Sequence, residues 1–117
     1  MDAFDRLKEI QDLFSDIIKQ KGDVGKDYSQ LVEHVLHNGS IAAKYKELIF
    51  VALSLVKKCE WCLSYHLRLA MEAGVTYEEL IEIAFIAFLM DGSPSLMEAI
   101  KMKDFYFDLK HSNKSEG

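Results

Sequence analysis

The sequence contains little of what builds β-structure, irregular chain or disulfide frameworks. Among 117 residues there are one proline, one threonine (Thr76) and two cysteines. Two cysteines cannot hold a small secreted fold together, which excludes the disulfide-rich class. No apolar–polar alternation is long enough for a strand, and the glycines lie between or after helical segments. Because a chain of this length that is 50% hydrophobic can bury its own core, we expect one all-α domain covering residues 1–117.

Basic runs and long apolar runs are also absent. The chain has 14 Lys and Arg against 19 Asp and Glu, a net charge of -5, and a nucleic-acid partner needs a concentrated positive surface. The longest nearly unbroken apolar segment, residues 80–90, contains Glu82 and is about half the length of a membrane span. The acidic first ten residues lack the basic start and apolar block of a secretory signal. We therefore expect a cytoplasmic protein with no nucleic-acid or membrane partner.

Helical periodicity predicts about six helices joined by short loops, the pattern of an all-α bundle. The first segment is amphipathic and ends near Gly22, where residues 22–26 are expected to form a loop. Asp27 and Gln30 have capping-box spacing for the second helix. Ser40 is expected to cap the third helix.

The later helices have clearer ends. The fourth is expected to begin at Cys59 or Glu60 and to end before Gly74. Thr76 and Glu79 have capping-box spacing for the fifth helix, and the single proline suits the first turn of the sixth. The third and fifth helices are apolar on most faces, and the flanking helices are too few to cover them. We therefore expect a homo-oligomer.

The two cysteines and a nearby histidine form the strongest local pattern. Cys59 and Cys62 are three positions apart, which chance would produce about one time in sixty. His66 follows Cys62 by four residues, so a helix places both on one face, and Cys59 is close enough for a disulfide. A helix N-terminus favours a thiolate, and an imidazole beside it can accept or donate a proton. The pattern predicts a dithiol that is oxidised and reduced.

Glu47 is the predicted partner of this histidine. It lies at the start of an apolar run, twelve residues before Cys59. If the third and fourth helices form a hairpin that turns near Lys58, His66 comes within about one turn of Glu47. The carboxylate would then hold the imidazole in one tautomer and stabilise its charged form. The predicted catalytic residues are Cys59, Cys62, His66 and Glu47, with no metal or cofactor.

Trp61 and Tyr65 are four residues apart on the same segment. We expect them on a different face from Cys62 and His66, as a packing or subunit-contact pair.

The spacing Glu47-x11-Cys59-x2-Cys62-x3-His66 resembles the signature of the alkyl hydroperoxidase D proteins, within the carboxymuconolactone decarboxylase superfamily. The resemblance implies a helical bundle assembled as a homotrimer or homohexamer, and a peroxide-linked thiol–disulfide cycle. It implies that Cys62 is the thiol activated by His66 and Glu47. Cys59 would be the more accessible partner that forms the mixed disulfide.

The same resemblance implies the reaction partners. The substrate would be a peroxide or a disulfide of lipoyl type, and the partner a peroxiredoxin or a dithiol reductant protein. Some relatives carry a histidine between the cysteines that joins the proton relay, whereas Trp61 stands there in this chain. Proton transfer would then rest on Glu47, His66 and water, which favours dithiol exchange over direct peroxide reduction.

Two other functions remain open from the residues alone. Cys59, Cys62, His66 and Glu47 could together hold zinc, which would make the protein a non-enzymatic, zinc-stabilised oligomeric module. No further cysteine supplies the second ligand pair that structural zinc sites usually have. A lactone enzyme of the carboxymuconolactone decarboxylase type is the other alternative, although the decarboxylases proper lack the cysteine pair.

Overall fold

The computed structural model describes residues 2–116, with side chains for residues 2–112. Six α-helices and no β-strand occur in this range, which confirms the predicted all-α class. The helices are α1 (Ala3–Gln20), α2 (Gly22–Leu36), α3 (Ala43–Lys57), α4 (Glu60–Glu72), α5 (Tyr77–Asp91) and α6 (Ser93–Glu116).

The core lies among α3, α4, α5 and α6. α3 packs against α4, α5 and α6, while α1 packs against α4, α6 and α2. Complete burial of a large apolar side chain contributes about 1.5–3 kcal/mol, so these contacts dominate the stability. The largest fully buried apolar side chains are Val51, Leu55, Leu63, Leu67, Leu80 and Met102. No helix within residues 2–116 is long and apolar enough to cross a membrane.

The boundary between α1 and α2 differs from the prediction. α2 begins at Gly22, so the loop expected over residues 22–26 is wrong. Asp27 and Gln30 lie inside the helix and do not cap it. Only Lys21, with φ -146° and ψ 67°, separates the two helices.

Packing between the two helices explains this difference. Gly25 is buried, and a Cβ atom added to it would lie 2.7 Å from Cδ1 of Ile18 on α1. The glycine therefore allows two helices to approach closely and does not interrupt one of them. Sequence periodicity cannot separate these two uses of glycine.

The start of α3 is a second difference. The helix begins at Ala43, so the expected cap by Ser40 is wrong. The backbone N–H of Ala43 instead donates a hydrogen bond to Oδ1 of Asn38 at 2.6 Å. The predicted capping box of α5 is confirmed: the N–H of Glu79 donates to Oγ1 of Thr76, and the N–H of Thr76 donates to the Glu79 carboxylate.

Large apolar side chains remain exposed on α3, α5 and α6. Leu89 and Met90 are 84% and 83% exposed, which is unusual for such residues in a single folded chain. The others on these helices are Tyr45, Ile49, Leu53, Phe85, Ile86, Met97 and Ile100. The core of one chain therefore covers only part of the apolar surface of α3 and α5.

Candidate active site

The site is built on the turn between α3 and α4. Lys58 adopts a left-handed backbone conformation with φ 54° and ψ 43°. The N–H of Lys58 donates to the carbonyl of Leu55, and the N–H of Cys59 donates to that of Ser54. Nζ of Lys58 also lies 3.0 Å from Oδ2 of Asp91 at the end of α5. The turn folds α4 back along α3, as the sequence predicts.

Cys59 and Cys62 form a disulfide at the start of α4, with their Cα atoms 5.3 Å apart. Cys59 is the N-cap residue, and its Sγ accepts a hydrogen bond from the N–H of Cys62 at 3.1 Å. The positive end of the helix dipole lies at these sulfur atoms and would stabilise a thiolate after reduction.

The relative exposure of the two cysteines is the reverse of what the resemblance implies. In the single chain Cys62 is exposed and Cys59 is half-buried. Cys59 is held against the last turn of α3 through its N–H, whereas Cys62 lies on the first turn of α4. The expectation that Cys59 is the more accessible thiol is therefore wrong for the single chain.

Glu47 and His66 form a direct contact between α3 and α4. Oε2 of Glu47 lies 2.8 Å from Nδ1 of His66, and Glu47 is only 4% exposed. When Glu47 is ionised it can only accept hydrogen bonds, so in that state Nδ1 of His66 is the donor and Nε2 is left for acid–base chemistry. Phe50, one turn after Glu47, stacks on the imidazole with ring centroids 4.2 Å apart and ring planes within 4°. The predicted pair therefore forms, and Phe50 fixes the plane of the ring.

A cavity of about 620 Å³ opens beside Cys62 and His66. These two residues and Phe50 form part of its wall, and its volume is typical of small-molecule sites. The rest of the wall comes mainly from apolar side chains of α1 and α2. They are Ile10, Leu13, Phe14, Leu31, Val32, Val35 and Leu36, and nothing in the cysteine motif indicates them.

Trp61 and Tyr65 line the same cavity as Cys62 and His66, so their expected place on a different face is wrong. At 100° per residue, the four positions cover an arc of about 140° and share one side of α4. This relation could have been found from the sequence by angular position.

Arg6 is a residue of this region that sequence reasoning missed. It reaches from α1 to Glu60, the first residue of α4, with Nε 2.8 Å from the carboxylate. Its guanidinium lies over Trp61, 4.7 Å from the ring centroid. Because Arg6 is 54 residues from Glu60 along the chain, no local pattern could have indicated the contact.

The zinc alternative gains no support from the described residues. Within that part of the chain, no group of three or more His, Cys, Asp and Glu side chains is arranged to hold a metal ion. Both sulfur atoms are engaged in the disulfide and are not free to act as thiolate ligands in this state.

The chain matches the sequence profile of a known protein family and is similar to several known proteins. The sequence profile of the carboxymuconolactone decarboxylase family matches residues 22–102. The chain belongs to this family. An uncharacterized protein of Cupriavidus necator is 33% identical over 103 residues, which are 88% of this chain and 90% of that protein. Uncharacterized protein 4 in the cox locus of Paracoccus denitrificans is 31% identical over 67 residues, 57% of this chain and 60% of that protein.

Solved structures of the carboxymuconolactone decarboxylase family share the fold. A family protein from Legionella pneumophila superposes with a TM-score of 0.86 at 28% identity, covering 92% of this chain and 96% of that one. A family protein from Thermotoga maritima superposes with a TM-score of 0.82 at 24% identity, covering 96% of this chain and 95% of that one. The family match spans all four predicted site residues, whereas Arg6 lies before it.

Proposed function

We propose that this carboxymuconolactone decarboxylase family protein is an antioxidant thiol–disulfide oxidoreductase of the alkyl hydroperoxidase D type. Cys59 and Cys62 cycle between dithiol and disulfide, His66 transfers protons, and Glu47 orients His66. One observation carries this proposal: the disulfide and an imidazole held by a buried carboxylate border the same cavity. The description of the Thermotoga maritima structure proposes a part in an antioxidative response, which agrees with this direction.

In the oxidative half-reaction, the dithiol reduces an organic hydroperoxide. Nε2 of His66 takes the proton from the Cys62 thiol, and the thiolate attacks the terminal peroxide oxygen, breaking the O–O bond. The alkoxide leaves as an alcohol with the proton from His66, and Cys62 becomes a sulfenic acid. The Cys59 thiolate then attacks the Cys62 sulfur and releases hydroxide, which leaves as water with the proton of the Cys59 thiol. Two thiols and a hydroperoxide become a disulfide, an alcohol and water.

In the reductive half-reaction, an external dithiol of lipoyl type or of a partner protein restores the thiols. One donor thiolate attacks a sulfur of the disulfide to form a mixed disulfide, and the second donor thiol then displaces it. Because Cys62 is the more exposed cysteine in the single chain, its sulfur is the proposed point of attack. Because Trp61 stands where some relatives have a relay histidine, dithiol exchange is faster than peroxide reduction in this cycle. The cycle needs a reducing compartment, which for this protein we take to be the cytoplasm.

The walls of the cavity favour an apolar substrate. Apart from Cys62 and His66, most of the side chains that line it are aliphatic or aromatic. An alkyl chain or the hydrocarbon part of a lipoyl group gains about 0.8 kcal/mol per buried methylene, whereas hydrogen peroxide gains nothing. Organic hydroperoxides and lipoyl-type dithiols are therefore the proposed substrates.

Substitution of the cysteines tests the proposal directly. Cys59→Ser and Cys62→Ser are each expected to abolish dithiol-coupled peroxide or disulfide turnover, with the helical content by circular dichroism unchanged. In Cys59→Ser, an organic hydroperoxide is expected to oxidise Cys62 to a sulfenic acid. A donor whose second thiol is blocked then displaces water from it and accumulates as a mixed disulfide at Cys62, detected by mass spectrometry. Turnover at the wild-type rate in either variant would overturn the proposal. A lactone-converting activity that survives the loss of both cysteines would favour the lactone-enzyme alternative.

A metal measurement separates the proposal from the zinc alternative. Protein purified without chelator and kept reduced is expected to contain less than one zinc per chain and to keep its unfolding temperature when chelator is added. One zinc per chain with unfolding on its removal would support the structural module instead.

We also propose that the protein is a homo-oligomer, a trimer or a hexamer. The support is the exposed apolar surface of α3, α5 and α6, where Leu89 and Met90 are more than four-fifths exposed. Leu89→Lys is expected to lower the mass measured by light scattering toward that of one chain. Val24→Lys, at an exposed apolar position on α2 outside that surface, is the control that should leave the mass unchanged. A monomeric wild-type protein would contradict this assembly.

A further inference from the structure

Arg6 is a buried cation that the proposed chemistry does not use. It is 7% exposed, its Nε donates to Oε2 of Glu60 at 2.8 Å, and its Nη1 hydrogen-bonds the carboxylate of Glu9. The guanidinium carbon lies 4.7 Å from the centroid of the Trp61 ring. Glu60 and Trp61 are the two residues between the cysteines, so one side chain of α1 contacts the whole interior of the redox motif.

Glu60 has a second cation partner on α6. Nζ of Lys101 lies 3.2 Å from Oε1 of Glu60, the oxygen that Arg6 does not contact. The hydrogen bond from Lys101, with a further contribution from Arg6, lowers the pKa of Glu60 despite the opposing effect of burial. The Lys101 side chain is 41% exposed against 8% for Arg6, so Lys101 is the more solvated of the two.

The contact of Arg6 with Glu60 and Trp61 is better suited to holding these two residues in position than to stabilising the fold. A buried ion pair contributes little net stability because loss of hydration offsets the attraction, and a well-packed apolar pair often does as well. A guanidinium, however, forms directed hydrogen bonds to a carboxylate and stacks on an indole at the same time. A lysine ammonium or an apolar side chain cannot both form these directed hydrogen bonds and stack on the indole.

We propose that Arg6 is a positioning residue for the Cys59–Cys62 pair. By holding Glu60 and Trp61, it keeps the first turn of α4 in place when the disulfide opens. Its positive charge also offsets the carboxylates of Glu9 and Glu60, which would otherwise oppose the thiolate that forms when two electrons and one proton convert the disulfide into a thiol and a thiolate. The electrons come from the dithiol donor of the proposed function, on which this inference rests.

The test measures the thiol pKa and the reduction potential of the Cys59–Cys62 pair, in protein that is fully reduced and then reoxidised. Arg6→Met removes the charge at similar length and is expected to raise the pKa of the more acidic thiol, measured from the pH dependence of alkylation. Disulfide formation against a glutathione buffer should become about tenfold more favourable, equivalent to about 30 mV toward a more reducing potential. Arg6→Lys keeps a cation and is expected to restore most of the thiol pKa but only part of the exchange rate.

Lys8→Met is the matched control, because Lys8 is an exposed cation on the same helix, and its ion pair among the described residues is with Asp12 and not with the cysteine motif. It should leave the thiol pKa and the potential at wild-type values. If Arg6→Met does not fold, Arg6→Lys is compared with the wild type. A lower rate of thiol–disulfide exchange in Arg6→Lys would support the positioning role, and an unchanged rate would overturn it.

The outcomes separate this inference from the proposed function. If the wild-type disulfide resists a strong dithiol, both fail together. If the wild type cycles but the Arg6 variants change only the unfolding temperature, with thiol pKa, potential and exchange rate unchanged, Arg6 is merely structural and only this inference is overturned.

Discussion

The α3–α4 hairpin and the α1–α2 pair face each other across the cavity, but they are built differently. The hairpin turns through Lys58 and buries a carboxylate–imidazole contact that an aromatic ring covers. The α1–α2 pair is joined through Lys21 alone, and Gly25 is the only buried residue of α2. Its apolar side chains, such as Leu31 at 62% exposed, instead face the cavity and its surroundings.

The difference separates two tasks. Proton transfer and thiol exchange need fixed atoms, and close packing with satisfied hydrogen bonds supplies them in the hairpin. Binding of an apolar substrate depends more on the area of apolar surface it contacts than on fixed atomic positions. A loosely packed helix can supply that surface. Damage to the hairpin should therefore affect the chemical step, and damage to α1–α2 should affect substrate binding.

Among substitutions that keep both cysteines, the largest effect is expected from His66→Gln. Loss of the acid–base group should lower kcat about 10²–10⁴-fold, measured in single-turnover oxidation of the reduced protein. Glu47→Gln should lower it less, because the imidazole remains but its Nδ1 proton loses the carboxylate acceptor.

His111→Gln is the control for this prediction, since His111 is exposed on α6 and does not line the cavity beside Cys62. An unchanged kcat in both hairpin variants would mean that the contact serves folding alone.

A smaller effect is expected from polar substitutions on α2. Leu31→Asn and Val35→Asn together should lower kcat/KM for a long-chain alkyl hydroperoxide about tenfold, with most of the change in KM. The rate with hydrogen peroxide should not change, because that substrate makes no apolar contact. In the wild type, kcat/KM should rise up to about fourfold for each methylene added to the substrate.

Equal losses for both peroxides would contradict the division between the two regions. Val24→Asn, on α2 itself, is the matched control, since its side chain is half exposed but lies outside the cavity.

The smallest effect concerns the packing of α2 on α1. Gly25→Ala should lower the free energy of unfolding by about 1 kcal/mol, because the new Cβ would lie 2.7 Å from Cδ1 of Ile18 and that side chain must move. Gly22→Ala should raise it by about 0.5–1 kcal/mol, because nothing lies within 4 Å and alanine favours the helix.

The opposite signs can be checked by urea unfolding followed by circular dichroism. Stabilisation by both substitutions would show that α2 is free to move away from α1.

Local sequence predicted some elements of this molecule correctly. The capping box of α5, the turn near Lys58 and the Glu47–His66 contact all depend on residues that are near one another in sequence or on two helices joined by a short turn. Such relations follow from helix geometry alone. The errors at the start of α2 and α3 arise from contacts that glycine spacing and a serine cap pattern do not reveal.

The amino-acid sequence by itself determined the helical class, the carboxymuconolactone decarboxylase resemblance and the four residues of the motif, because 3.6-residue periodicity and fixed spacings are properties of the chain. The tertiary structure alone decided which cysteine is exposed, that α1 and α2 wall the cavity, and that Arg6 holds the residues between the cysteines. These depend on how separate helices pack, and packing brings together residues that no spacing in the sequence connects.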